Sequence, residues 1–266
     1  MAPRIAGGDT WASGERYEPY VGRWSRPVAE RFVGWLDPPP GLRWLDVGCG
    51  TGALTDAVLL DAAPAAVLGV DPSPGMIASA VAAVPDPRAS FLLGDARALP
   101  LADRSVDAVV SGLVLNFLPD HVAALTELHR PVRRGGTVAF YVWDYTGEMQ
   151  MMRWFWETAD DLDPAAAAKH EGLRFEFCRP GPLADAAATA GLVDVEVTPI
   201  DVPTVFADFD DYWTPFLSAQ APAPAYVASL DDDGRTALRE ALRHRLPTED
   251  DGSIHLTARA WAVRGR

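Results

Sequence analysis

The stretch Trp44-Leu45-Asp46-Val47-Gly48-Cys49-Gly50-Thr51-Gly52 is the part of the chain from which its fold can be predicted. Apolar residues around one acid lead into three glycines spaced two apart. This pattern is typical of a buried strand that ends in a tight turn before a helix. Because glycine has no side chain, a ligand can lie directly against the backbone there. The turn therefore predicts a ligand site at the end of the first strand.

Strands and helices alternate on both sides of this turn. The apolar pattern predicts strands at 43–47, 65–70, 90–93, 106–110, 137–143, 193–197 and 254–263. It predicts helices at 51–60, 74–84, 120–130, 181–191 and 236–246, and another between Tyr20 and Leu36 that Ser25 caps. A glycine pair, Gly135-Gly136, is expected to break the chain before the fifth strand. The expected fold is α/β, a doubly wound, mostly parallel, seven-stranded Rossmann-like sheet with a partly helical aromatic cap.

We expect one domain over residues 1–266. Its core is predicted at 26–144, 181–200 and 253–264, and its cap segments at 1–25, 145–180 and 203–247. Aromatic residues are frequent in the cap segments, including Trp154, Phe155, Trp156 and several in 206–216. Such rings could bury a flat organic molecule and exclude water. Alternatively, they form the cap's own core.

Composition excludes several classes of protein. The net charge of −14 over 266 residues disfavours a nucleic-acid partner. Cys49 and Cys178 are too few for a disulfide framework or a thiolate metal site, and no metal is expected. Without a long apolar stretch or a signal-like start, we expect a cytoplasmic protein with no membrane partner. The oligomeric state cannot be inferred.

The glycine turn fits two classes of cofactor. Gly48-x-Gly50-x-x-Ala53 satisfies the dinucleotide pattern, and Asp71 lies at a suitable distance to hold a ribose. Asp46, however, would repel a pyrophosphate, whereas it can help to hold the methionine ammonium of S-adenosylmethionine. Asp71 ends the second strand and can take both ribose hydroxyls. Asp95, between Gly94 and Ala96, ends the third strand, where an adenine amino group needs an acceptor.

These features together resemble the class I S-adenosylmethionine-dependent methyltransferases, in the small-molecule branch that includes the ubiquinone and menaquinone C-methyltransferases. The resemblance covers 43–144. It is carried by the glycine turn, Val-Asp-Pro-Ser at 70–73, Gly-Asp-Ala at 94–96, Asn-Phe-Leu at 116–118 and the glycine pair at 135–136. One departure is Pro-Val-Arg-Arg at 131–134, which replaces the usual apolar-Leu-Arg-Pro run.

The resemblance implies a role for each matching residue. Gly48, Cys49 and Gly50 would lie against the methionine part of the cofactor, and Asp71 would bind the ribose. Three further groups would surround the base and the reacting side: Ser73 and Met76 beside the adenine, Asp95 and Ala96 at its edge, and Ser111, Leu113 and Asn116 on the reacting side. We interpret Cys49 as a packing residue rather than a nucleophile.

The reacting centre is less well defined. Tyr20 and Trp24, in the segment before the first helix of the sheet layer, are expected to close over the cofactor. His121 and Asp144 are candidate general bases, although each also has an ordinary structural interpretation, and the base stays unassigned.

We therefore predict methyl transfer from S-adenosylmethionine to oxygen, nitrogen or carbon of a small, aromatic or apolar metabolite by in-line displacement. The alternatives are a non-catalytic cofactor- or partner-binding protein and a nicotinamide-dependent oxidoreductase. The oxidoreductase is disfavoured because Lys169 is the only lysine and no Tyr-x-x-x-Lys pair exists. The same fold could also use the cofactor's charge for a rearrangement or a decarboxylation.

Overall fold

The computed structural model describes residues 23–217 and 221–266. The seven strands of its sheet are β1 (Arg43–Val47), β2 (Ala66–Asp71), β3 (Ala89–Leu93), β4 (Val106–Gly112), β5 (Val132–Trp143), β6 (Glu196–Phe206) and β7 (Ile254–Gly265). The helices are α1 (Arg23–Leu36), α2 (Ala53–Asp61), α3 (Pro74–Ala83), α4 (His121–His129), α5 (Gln150–Leu162), α6 (Glu171–Arg174), α7 (Pro180–Thr189), α8 (Phe209–Trp213), α9 (Pro222–Ser229) and α10 (Asp232–Arg245). Short 3₁₀ turns lie at Leu115–Phe117, Pro164–Lys169 and Thr214–Leu217.

The strands form one sheet in the order β3-β2-β1-β4-β5-β7-β6. The pairs β2–β3, β1–β2, β1–β4 and β4–β5 are all parallel. Their carboxyl ends therefore lie along one edge of the sheet, and the chain order reverses between β1 and β4, where open α/β sheets bind ligands. The predicted mostly parallel, seven-stranded, Rossmann-like sheet is confirmed.

Two local predictions were wrong. Gly135 and Gly136 lie within β5 rather than before it, because the register shifts between Val106 and Ala108 and the strand continues through the irregularity. A Cβ on Gly136 would lie 2.4 Å from the carbonyl oxygen of Asp107, so a glycine is needed for this close approach. Ser25 lies inside α1 and does not cap it, since Arg23 and Trp24 before it are already helical.

Strand β6 begins and ends later than predicted. It runs over Glu196–Phe206 and contains Pro199 and Pro203, which normally argue against a strand. Because β6 is the last strand in the sheet order, an edge position leaves room for prolines that cannot donate a ladder hydrogen bond.

The chain divides into two compact units. The first contains, among the described residues, 23–142, 179–200 and 261–266; the second contains Trp143–Cys178 and Asp201–Ala260. In the second unit the rings pack on one another, with Phe155 stacked on Phe216 at 4.5 Å between ring centres. The Tyr212 hydroxyl donates to the carbonyl oxygen of Met151 at 2.9 Å. These rings therefore form the unit's own core, and the single-domain boundaries drawn from the sequence stay a prediction.

Two further findings concern the described part of the chain. None of its helices combines the length and apolar character that crossing a membrane requires. Within the same residues, His, Cys, Asp and Glu side chains do not gather in threes in a way that could hold a metal ion.

Candidate functional site

A cavity of about 370 Å³ lies in the first unit, at the carboxyl-end edge of the sheet. Its volume is within the range of small-molecule sites. The cavity brings together these predicted site residues: Asp46, Gly48, Cys49, Gly50, Asp71, Ser73, Met76, Asp95, Ala96 and Leu113. Segments from the ends of β1, β2, β3 and β4 thus converge on a common space.

Three of the predicted site residues that the structure describes are not among those lining the cavity. The Ser111 hydroxyl is buried and donates to the carbonyl oxygen of Val47 at 2.8 Å, so it joins β4 to β1 instead. Asn116 is buried in the 3₁₀ turn, and its amide nitrogen has no hydrogen-bond partner among the described residues. Trp24 is buried in α1. Tyr20 lies outside the described residues.

Asp46 is the most strongly perturbed acid in the cavity wall. Its side chain is 1% exposed, and its Oδ2 accepts a 2.7 Å hydrogen bond from the Thr55 hydroxyl on α2. Oδ1 is buried without a hydrogen-bond partner among the residues that the structure describes. Burial, together with the nearby charge of Asp71, raises the pKa of Asp46 to about 7. A cationic donor that reached Oδ1 would satisfy this atom and favour the ionised carboxylate.

The glycine turn uses its own amide hydrogens internally. The N–H groups of Gly48 and Cys49 both donate to the carbonyl oxygen of Val70, at 2.7 and 3.1 Å. The N–H of Gly50 donates to Asp71 Oδ2 at 3.1 Å. A dinucleotide site instead offers such N–H groups to a pyrophosphate. In this turn the N–H groups already donate to protein oxygens, and the carboxylates of Asp46 and Asp71 line the same cavity.

Two of these glycines have a left-handed backbone, which favours glycine, and one of them also lacks room for a side chain. Gly48 has a φ of 74°, and a Cβ on it would lie 2.4 Å from a methyl carbon of Val114. Gly50 has a φ of 53°, and nothing lies within 4 Å of the position its Cβ would take. Because both residues line the cavity, the backbone at Gly50 is open to a ligand.

Asp71 ends β2 with its carboxylate fixed by backbone donors. Oδ1 accepts from the N–H of Ser73 at 2.8 Å, and Oδ2 accepts from Gly50. Burial raises the pKa of Asp71, although these two bonds oppose the shift. Each oxygen keeps acceptor capacity, as a pair of vicinal hydroxyls would need. The Ser73 hydroxyl then begins α3 by accepting from the N–H of Met76 at 3.4 Å.

The loop after β3 lies directly beside Asp71. The N–H of Gly94 donates to the carbonyl oxygen of Asp71 at 3.1 Å. Asp95 and Arg97 form an ion pair at the cavity wall, with 2.5 Å between Oδ2 and Nη2. This pair lowers the pKa of Asp95.

The cavity continues past β4 to β5 through Leu113, which was predicted, and through residues that were not assigned to the site. Leu113 has a left-handed backbone, with a φ of 61°, and its N–H donates to the carbonyl oxygen of Tyr141 at 2.8 Å. A Cβ on Gly112 would lie 2.5 Å from Tyr141 Oη, so the ring lies against a bare backbone. The other lining residues missed in this region are Val114, Phe117, Leu118 and Pro119, and Ser25 of α1 also lines the cavity. The sequence offered one signal for Tyr141. It lies two residues before Trp143 and therefore on the same face of the predicted strand.

The structure gives little support to His121 and Asp144 as general bases. His121 is half-buried at the start of α4, its pKa is lowered chiefly by burial, and it is not among the lining residues. The two carboxylate oxygens of Asp144 accept from the Thr146 hydroxyl at 3.1 Å and the Glu148 N–H at 3.1 Å. These bonds close its own loop. Burial raises the pKa of the Cys49 thiol, which keeps it protonated and unsuited to nucleophilic attack.

Comparison with known proteins identifies a methyltransferase domain in the same part of the chain. A family model described as a methyltransferase domain matches residues 45–140, which include the glycine turn and all three strand-end acids. The malonyl-[acyl-carrier protein] O-methyltransferase of Serratia marcescens is 35% identical over 135 residues, a match that covers 51% of each chain. The 2-methyl-6-phytyl-1,4-hydroquinone methyltransferase of Synechocystis sp. is 32% identical over 217 residues, covering 73% of this chain and 65% of that protein.

The chain therefore spans between about half and two thirds of the length of these curated relatives. Among solved structures, phosphoethanolamine N-methyltransferase 2 of Haemonchus contortus, in complex with S-adenosyl-L-methionine, superposes with a TM-score of 0.53 at 18% identity. That match covers 91% of this chain and 52% of the other, and it supports the fold alone. The chain carries a class I S-adenosylmethionine-dependent methyltransferase domain, which the family match places at residues 45–140.

Proposed function

We propose that the protein transfers a methyl group from S-adenosylmethionine to oxygen, nitrogen or carbon of a small, aromatic or apolar metabolite. The observation that carries the proposal is the unpartnered Oδ1 of Asp46 in the cavity wall. A buried carboxylate oxygen without a donor is costly unless a ligand supplies one. The methionine ammonium of the cofactor is such a donor, and it brings the opposite charge.

The other contacts follow the order of the strands. Asp71, held by Ser73 and Gly50, would accept hydrogen bonds from both ribose hydroxyls. The loop at 94–97 borders the base, since it is bonded to the backbone of Asp71. The exposed backbone at Gly50 leaves room for the methionine chain beside Asp46. The methionine chain, the ribose and the base would thus contact the ends of β1, β2 and β3, in that order.

The reaction needs positioning more than proton transfer. When bound, S-adenosylmethionine supplies a methyl group on a positively charged sulfur, which is an excellent leaving group. The protein has to align the acceptor with this methyl at about 3–3.5 Å and exclude water. Apolar residues at the β4–β5 end of the cavity, Leu113, Val114 and Phe117, would do this around the acceptor. A base is needed only where the acceptor must lose a proton.

The substrate class rests on the cavity wall and on the relatives. The lining residues of β4, β5 and the segment after β4 are glycine, apolar or aromatic, which suits a small apolar or aromatic acceptor better than a highly charged one. The named relatives methylate a malonyl group on a carrier protein and a phytyl hydroquinone. The net charge of −14 disfavours a nucleic-acid substrate.

Calorimetric titration tests the cofactor. We expect S-adenosylmethionine and S-adenosylhomocysteine to bind the protein, whereas nicotinamide dinucleotides do not, because Asp46 would face their pyrophosphate. Asp71→Ala should abolish binding, and Asp61→Ala, at an exposed position of α2, should leave it unchanged. Tight binding of a dinucleotide without binding of S-adenosylhomocysteine would overturn the proposal.

A non-catalytic binding protein is the main alternative. Asp71→Ala also separates these two functions: an enzyme loses turnover in an assay of radiolabelled methyl transfer to quinol, phenol and carboxylic acid acceptors, whereas a scaffold keeps its partner. Activity on any acceptor that is lost with Asp71→Ala but kept with Asp61→Ala supports catalysis.

A further inference from the structure

Two Asp-x-Arg pairs flank strand β3, one before it and one after it. In the first pair, Arg88 donates its backbone N–H and Nε to Asp86 Oδ1 at 2.8 and 3.0 Å, and its Nη2 to Oδ2 at 2.7 Å. In the second pair, Arg97 makes the same three bonds to Asp95, at 2.9, 2.9 and 2.5 Å. The two pairs share one local structure. The second lines the cavity, whereas the first is not among its lining residues.

The bonds from Arg97 use most of the acceptor capacity of Asp95. An ionised carboxylate offers about four lone-pair sites. Oδ1 accepts two N–H groups from Arg97, and Oδ2 accepts Nη2 together with a second, 3.1 Å contact from Nε. The carboxylate expected from sequence to accept the adenine amino group is therefore already bonded.

Arg97 lies in the cavity wall, in the loop that is expected to border the base of a bound nucleoside. The 94–97 loop is joined to Asp71, the acid expected to hold the ribose, by the bond from Gly94 to the Asp71 carbonyl oxygen. The guanidinium of Arg97 is held by one carboxylate through two of its nitrogens, which fixes its plane. A planar guanidinium stacks well on aromatic rings, because it is weakly hydrated and positively charged.

We propose, on the basis of the proposed function, that Arg97 is the residue that binds the purine, by stacking its guanidinium on the base, and that Asp95 is a positioning residue for Arg97. The arrangement recognises a flat heteroaromatic base rather than its 6-amino group. Binding should then tolerate a purine that lacks this amino group.

The test compares S-adenosylhomocysteine with its 6-deamino analogue, in which the base is unsubstituted purine. Dissociation constants for both are measured by calorimetry for the wild type, Arg97→Ala, Arg97→Lys and Asp95→Asn. Arg88→Ala is the matched control, because it removes the same kind of pair away from the cavity. Thermal unfolding verifies that each variant is folded, which is expected since the Arg97 side chain is 53% exposed.

The wild type should bind both ligands within about threefold of each other. Arg97→Ala should weaken both equally, by about five- to tenfold, as the loss of a stacked cation predicts. Arg97→Lys should restore little, because the ammonium is not planar. Asp95→Asn should change either affinity by less than about threefold, since an amide oxygen still accepts from Arg97. Arg88→Ala should change neither affinity.

The opposite pattern overturns the inference. If the wild type binds the deamino analogue more than about tenfold more weakly, and Asp95→Asn removes this difference, then Asp95 reads the amino group and the stacking role is wrong. Equal effects of Arg97→Ala and Arg88→Ala also overturn it, because both would then act on the loop alone. If S-adenosylhomocysteine does not bind the wild type at all, the proposed function itself fails.

Discussion

Replacing Asp46 with Asn tests the central electrostatic feature of the site. The side chain is almost fully buried, and its pKa rises from 3.8 to about 7. The folded state therefore binds this proton more tightly than the unfolded state does. The associated stability is fully present below pH 3.8 and is lost as the pH rises through about 7.

The size of the effect follows from the shift. About three pKa units at ~1.36 kcal/mol each correspond to roughly 4 kcal/mol between the two limits. Between pH 5 and pH 8 the wild type should lose about 2.5 kcal/mol of this unfolding free energy. The rest is lost below pH 5, because the unfolded-state carboxyl is already largely ionised at pH 5. Asn cannot ionise. The unfolding free energy of Asp46→Asn, relative to that of the wild type, should therefore rise by about 2.5 kcal/mol from pH 5 to pH 8.

Urea unfolding at pH 5 and pH 8 measures the difference directly. The control is Asp61→Asn, the same chemical change at an exposed position of α2, which should follow the wild type at both pH values. Cofactor binding should move the other way: Asp46→Asn should weaken S-adenosylhomocysteine by at least about tenfold, the value of a charge-assisted hydrogen bond. An unfolding difference that is equal at pH 5 and pH 8 would refute the burial argument, and unchanged binding would refute the role of Oδ1.

Three further outcomes are expected. In the wild type, the affinity for S-adenosylhomocysteine should decrease below pH 7, by up to about tenfold per pH unit, since Asp46 must lose its proton to bind the ammonium. An affinity that calorimetry finds constant from pH 5.5 to 8.5 would contradict this. Gly112→Ala should cost about 1–3 kcal/mol in unfolding free energy, because its Cβ would lie 2.5 Å from Tyr141 Oη, and Tyr141→Phe in the same chain should recover part of the loss. Ser111→Ala should cost about 1–2 kcal/mol by removing the bond to Val47, while cofactor affinity stays within about threefold; a larger loss of affinity would return Ser111 to the binding site.

The sequence was informative where function depends on local backbone. The glycine turn and the acids at successive strand ends could be placed because each follows its own strand by a fixed number of residues. Parallel pairing then brings their ends to one edge without further information. The sheet and the convergence of Asp46, Asp71 and Asp95 on one cavity could be predicted for this reason.

Features that depend on contacts distant in sequence were beyond reach. Ser111 was assigned to the reacting side because it ends a strand, but its hydroxyl bonds to Val47, 64 positions away. No local pattern indicated that Ser25 lines the cavity. Tyr141 requires the register that sets it opposite Gly112. The partner of Asp95 was local, two residues away, and an Asp-x-Arg pattern was its available signal.

The contact between Gly112 and Tyr141 also has an evolutionary consequence. Since the two residues face each other across paired strands, their combined volume is limited. Homologous chains should therefore vary at these two positions together, so that any side chain at the first is accompanied by a smaller residue at the second. The acceptor end of the cavity could then change shape by paired replacement, while the part that holds the nucleoside stays the same.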